Sequence, residues 1–138
     1  MCNSPQITVT NPVDFLLPYN NRNPVDLLMA SFPASDGNAA PTLKIEALAR
    51  FTPQGKGSPV FSATLQIVND ETGGVLTEAQ PITFKEGNKY IIFLTATFYP
   101  NISGEHTYKF KLRAINNMSG TTFSILTGDA SMTISCTE

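Results

Sequence analysis

The chain has 138 residues, 41% of them hydrophobic and 14% charged, with 9 Gly, 10 Pro, 2 Cys, 1 His and no Trp. That length fits one domain able to build a core without staples, and a net charge of −2 argues against nucleic acid or an anionic membrane surface as partner. The charged share is low beside the roughly 25% of an ordinary soluble domain. Thr, Ser and Asn fill the polar positions instead, a composition suited to an extracellular or self-assembling β protein, and nothing in it nominates a reaction.

The first residues, MCNSPQITVTNP, lack the charged and apolar regions of a Sec signal peptide. Gln6-Ile7-Thr8-Val9-Thr10 alternates as a strand does, with no hairpin partner nearby. Residues 1–41 read as a Pro-rich N-terminal arm, carrying Pro5, Pro12, Pro18, Pro24 and Pro33 and closed by Pro41. The arm holds a short echo, Asn11-Pro12-Val13-Asp14-Phe15-Leu16-Leu17 and Asn23-Pro24-Val25-Asp26-Leu27-Leu28-Met29. Each copy reads either as a brief helical turn, with Asn capping and Pro in the first position, or as a Pro-bounded edge segment.

From residue 42 to 138 the dominant period is two. Leu43, Ile45, Ala47, Ala49 and Phe51 alternate with Lys44, Glu46, Leu48 and Arg50, which predicts a strand with one apolar face. Phe61, Ala63, Leu65 and Ile67 repeat the pattern, as do Tyr108, Phe110, Leu112 and Ala114 against Lys109, Lys111 and Arg113. Tyr90 to Tyr99 is apolar on both faces and rich in β-branched and aromatic residues, which predicts a central strand covered on both sides. It contains the longest apolar run, Tyr90 to Leu94, far short of the ~20 residues of a membrane-spanning helix. Shorter strands are expected over Ile82–Phe84, Thr122–Leu126 and Met132–Cys136. Gly-, Pro- and Asn-rich clusters separate these segments. The expected fold is all-β, a two-sheet antiparallel sandwich of the jelly-roll kind in preference to the immunoglobulin-like one, with an extended N-terminal arm.

Catalytic and metal chemistry find little support. The single histidine, His106, lies in the turn Gly104-Glu105-His106-Thr107, and no G-x-S-x-G pattern occurs. One imidazole without clustered Cys or acids does not close a zinc shell, and the spacing of a calcium loop is absent. No enzyme activity, cofactor or metal is expected. Lys109, Lys111 and Arg113 form a row of cations on one strand face, which fits an exposed or edge strand guarding against unwanted pairing. Asn101-Ile102-Ser103 and Asn117-Met118-Ser119 match glycosylation sequons.

Glu86-Gly87-Asn88-Lys89-Tyr90 resembles the tyrosine corner of immunoglobulin-like sandwiches, and also the Gly-x-Tyr entry to the central strand of the C1q and tumour-necrosis-factor jelly rolls. Leu126-Thr127-Gly128-Asp129, followed by Met132 and Ile134, resembles the Gly-Asp turn before the last strand of that second family. The two matches span about residues 83–136.

Cys2 and Cys136 sit at opposite ends of the chain without C-x-x-C spacing. A lone alternating strand behind a thiol suits backbone pairing along the edge of another copy, with Gln6, Ile7, Thr8, Val9 and Thr10 as the arm and Cys2 bonded to a neighbour's Cys136. In this the chain resembles the jelly-roll subunits of bacterial spore appendages, which implies a cross-linked surface fibre. Pairing of the same strand with Met132–Cys136 of its own chain, and of Cys2 with its own Cys136, is the other reading. The expected function is a structural subunit whose partners are copies of itself, at a cell, spore or virion surface. The alternative is a binding module or adhesin head that holds a glycan or protein through Tyr99, Asn101, His106, Asn116 and Asn117 in its loops.

Overall fold

A computed structural model describes residues 5–18, 23–36, 42–54, 63–79, 84–117 and 122–137. Among them the chain forms β1 (Ile7–Thr10), β2 (Phe15–Leu17), β3 (Val25–Asp36), β4 (Thr42–Gln54), β5 (Ala63–Asn69), β6 (Val75–Ala79), β7 (Phe84–Glu86), β8 (Lys89–Phe98), β9 (Gly104–Asn116), β10 (Thr122–Ile125) and β11 (Ala130–Thr137). No helix occurs among the described residues, so none is long and apolar enough to cross a membrane.

The strands make two antiparallel sheets. In the larger, seven-stranded one, β11 and β10 lie end to end along one flank of β4 and carry β1 and β2 on their far side, while β8 and then β7 lie on the other flank. The smaller runs β3-β9-β5-β6. With β1/β2 counted as one broken strand and β10/β11 as another, the pairing is nested: first with last, β3 with β9, β4 with β8, and β5 with β6. A long hairpin wound in this way across two sheets is a jelly roll. The immunoglobulin-like alternative fails because it does not pair the strands in this nested order.

Alternation places the core. Leu43, Ile45, Ala47, Ala49 and Phe51 on β4 are at most 2% exposed and face Leu65, Ile67, Phe110 and Leu112 of the smaller sheet. Phe98 closes one end of this layer, edge-on to Tyr108 and to Phe110 at 5.3 Å each. Phe51 meets Phe123 edge-on at 6.5 Å.

Three elements differ from the sequence expectation. The described part of residues 1–41 is built into the sandwich, because Leu17, Leu28 and Phe32 join its core and Ile7, Val9 and Phe15 pack against it. Of the two readings of the Asn-Pro-Val-Asp copies, the edge segment holds and the helical turn does not: they lead into the edge strands β2 and β3, and Pro33 sits in β3, where an edge can spare an N–H. β5 is buried on both faces, since Thr64 and Gln66 on its outward side lie under side chains of neighbouring strands. Conversely the outward face of β8 is covered only in part, with Ile91 buried but Phe93, Thr95 and Thr97 exposed.

The first and last strands are both broken at the same level, and Asn11 occupies the break. It is 1% exposed. Its Nδ2 donates to the carbonyls of Val13 and Leu126, both at 2.9 Å, and its Oδ1 accepts from Ala130 N at 2.9 Å. Its own backbone donates to Ala130 O at 3.3 Å and accepts from Gly128 N at 3.0 Å. Gly128 holds φ 82 to make that approach, a conformation costly for residues with a Cβ. Just outside, Asp14 Oδ1 accepts from Thr127 N at 2.7 Å and Thr127 Oγ1 at 2.8 Å.

Asn11→Ala strips partners from a buried N–H and two carbonyls at once, so a loss of about 2–4 kcal/mol is expected in chemical denaturation. The Thr127 hydroxyl, and secondarily its backbone N–H, hold the Asp14 carboxyl below its usual 3.8. A depressed folded pKa means that this contact stabilises the fold fully above the unfolded value and is lost as pH falls through the folded one. A carboxyl titration followed by NMR is expected to give Asp14 a midpoint below 3.8, moving back toward it in Thr127→Val.

Candidate functional site

The two outward sheet faces have opposite chemistry. On the smaller sheet, two of the three cations of β9 are matched across strands. Lys111 Nζ lies 3.4 Å from Asp70 and 3.7 Å from Asp26. Arg113 Nε donates to Gln66 Oε1 at 2.6 Å, and Gln66 Nε2 donates to Glu78 at 2.8 Å. Since β9 lies between β3 and β5, the row does not guard an edge; Lys111 neutralises carboxylates of the strand and turn beside it, and Arg113 holds Gln66.

The larger sheet presents rows that can be read from its register. Thr8, Thr133, Glu46 and Thr95 form one row across β1, β11, β4 and β8; Thr10, Ser131, Leu48 and Phe93 form the next. Ser135, Lys44 and Thr97 extend the face on one side, Arg50 and Ile91 on the other. Most of these residues are hydroxyl-bearing or apolar. Thr8 and Thr133 hydrogen bond to each other at 2.9 Å, and Lys44 pairs with Glu46 at 2.9 Å. Phe93 is 57% exposed, with Leu48 half-buried beside it.

Arg50 reaches a shallow cleft of about 410 Å³ shared with Glu86, Gly87, Asn88, Lys89 and Asp129. Lys89 Nζ is held 2.8 Å from Asp129 Oδ2, while the Arg50 guanidinium enters no ion pair among the described residues. The cleft therefore holds one cation, Arg50, and one acid, Glu86, outside any ion pair among the described residues. Sequence reading missed it because its residues come from three separate stretches, joined only by the register of β4, β8 and β11.

The residues singled out from sequence fall in different places. Ile7 and Val9 turn inward and pack against the core, while Thr8 and Thr10 face out and Gln6 is exposed just ahead of β1. β1 pairs with β11 of its own chain, Ile7 opposite Ile134 and Thr10 opposite Ser131, and its other edge is open among the described residues. Cys136, on β11, packs against the core and is not a free cysteine; Cys2 lies outside the described residues.

The loop residues do not converge. Tyr99 and Asn101 are exposed between β8 and β9, and His106 Nε2 sits 2.7 Å from Glu71 of the β5–β6 turn and edge-on to Tyr108 at 4.6 Å. Asn116 and Asn117 stand at the other end of β9, some ten residues or about 33 Å away. Asn116 is 1% exposed and donates to Leu17 O at 2.9 Å, and Asn117 donates to Thr64 Oγ1 at 2.8 Å. No group of three or more His, Cys, Asp or Glu able to hold a metal occurs among the described residues.

No protein-family model and no curated protein matches the sequence. Solved structures do match in fold. VP2 of infectious bursal disease virus, in a subviral particle, superposes with a TM-score of 0.55 at 14% identity, over 94% of this chain and 32% of that one. The Gt strain of the same virus gives 0.56 at 16% identity over 94% and 32%. The T13 particle of this virus gives 0.55 at 14% identity over 94% and 30%. The chain thus spans about a third of the length of the proteins it resembles. The likeness bears out the jelly-roll sandwich; neither spore-appendage subunits nor C1q and tumour-necrosis-factor proteins are among these three.

Proposed function

We propose that the protein is a non-enzymatic structural subunit that assembles with copies of itself into a surface layer, particle or fibre. The observation that carries this reading is the contrast between faces. One sheet pairs Lys111 and Arg113 with groups of its neighbouring strands, while the other offers a face of mostly hydroxyl-bearing and apolar residues, with Lys44, Glu46 and Arg50 set among them, that includes an exposed phenylalanine. Closely packed copies meet through such a surface without like-charge repulsion. The fold likeness to proteins of virus particles supports the same class of role, and the low charged share fits it. The open edge of β1 is a second contact of this proposal, where backbone pairing would add a neighbour's strand.

The alternative of a ligand-binding head rests on one specific feature. Tyr99 is 70% exposed and Ile102 41% exposed in the loop between β8 and β9, an amphipathic tip suited to a sugar or protein surface. A glycan array reads it directly.

Light scattering and electron microscopy of the purified chain, with and without reductant, are expected to show multimers. Placing lysines on the hydroxyl face in Thr95→Lys/Thr133→Lys should reduce assembly while changing stability by no more than about 0.5 kcal/mol per site. A protein that stays monomeric at every concentration and in both redox conditions sinks the reading. Removal of residues 2–10 tests the edge contact less cleanly, because Ile7 and Val9 also pack against the core.

A further inference from the structure

The sequence of β8 is that of a strand covered on both sides, yet most of its outward face lies open. Phe93, at 57% exposure, and the half-buried Leu48 opposite it form an apolar strip at the β8 side of the larger sheet. On β4 the outward residues run Lys44, Glu46, Leu48, Arg50, so that an acid and a cation stand equidistant from Leu48 along the strand. Resting on the self-assembly reading above, we infer that this face packs against the same face of a second copy about a two-fold axis lying along the Leu48–Phe93 row.

That symmetry decides every contact. An axis in the plane of the interface, perpendicular to the strands at Leu48, sets the two β4 strands antiparallel. Leu48 then meets Leu48, Phe93 meets Phe93, and Glu46 of each copy meets Arg50 of the other. The acid enters the cleft beside Arg50, where Lys89 already neutralises Asp129 and which Glu86 also lines. The arrangement gives the unpaired guanidinium a carboxylate and gives Phe93 the cover that its sequence context calls for. Aligned packing of two sheets about 10 Å apart is an ordinary geometry for interdigitated side chains.

The area sets the strength. Four strands at about 4.8 Å spacing and some eight residues of length cover about 500 Å² per copy, so about 1,000 Å² in total, at the low end of specific interfaces. A weak, concentration-dependent dimer is expected, of the kind that becomes stable only when combined with other contacts in a larger assembly.

Charge reversal tests this with the whole chain. Sedimentation over a concentration series is expected to show self-association of the unaltered protein, weakened about tenfold or more in Glu46→Arg and in Arg50→Glu, and in Phe93→Ser. The decisive sample is a mixture of the two charge variants. Between them both ion pairs are restored, so the mixture should associate although each component alone does not, and Glu46→Arg/Arg50→Glu in one chain should self-associate again. Restoration by mixing also excludes misfolding as the cause of the single-variant losses. Charge variants that associate like the unaltered protein, or a mixture that stays monomeric, overturn the two-fold pairing while leaving self-assembly through other surfaces intact. An unaltered protein that never associates overturns both.

Discussion

A jelly roll is closed by its two chain ends, and here one buried amide secures the closure. Everything between the first and last strands is a nested hairpin, so a loose end would uncover the edge of β11 and the core side chains behind it. Asn11 prevents this from a position where both end strands are broken. Its five hydrogen bonds join β1 to β2 on one side and β10 to β11 on the other. A buried amide with both donors and its oxygen bonded is worth more than a surface pair, because no water is available to replace a lost partner. The surrounding residues follow from it: Gly128 for the positive φ, Asp14 to hold Thr127 outside, and Pro12 to end β1 where the turn begins.

The closure also limits what the N-terminus can do for assembly. Ile7 and Val9 are half-buried against the core, and β1 is bound to β11 along its length. A strand held in that way offers a neighbour its other edge, not its whole length. Assembly through the end of the chain is then an addition to a finished domain.

How far the sequence reveals this depends on the strand. β4 and β9 are legible because each has a clean two-residue period and an apolar side that meets the other sheet. β3 is hidden by Pro24 and Pro33, which usually argue against a strand; its edge position is what makes Pro33 tolerable, and no local signal announces that position. The Asn-Pro-Val-Asp copies look alike but do different work: Asn11 is the closing amide, Asp14 grips Thr127, and Asp26 lies near Lys111 across the smaller sheet. The row of Lys109, Lys111 and Arg113 is visible in sequence, whereas its meaning is not, because the acids opposite come from stretches more than thirty residues away in the chain.

The remaining mismatch is the one with functional content. In β5 polar residues are buried, and the structure explains them through Arg113, Glu78 and Asn117. In β8 an aromatic residue is exposed, and nothing among the described residues explains it. A single exposed phenylalanine is unremarkable by itself. Here it sits at the β8 end of a row that runs through Leu48, Ser131 and Thr10, with Thr95 beside it, on a sheet whose nearest unpaired cation is two residues along the adjoining strand. Burial by a symmetric copy resolves the apolar strip and the unpaired charge together, whereas solvent leaves both as they are. A protein that filled its polar positions with neutral hydroxyls keeps few charges to spend on such a contact, which is why the placement of Glu46 and Arg50 on either side of Leu48 carries the direction and register of the pairing.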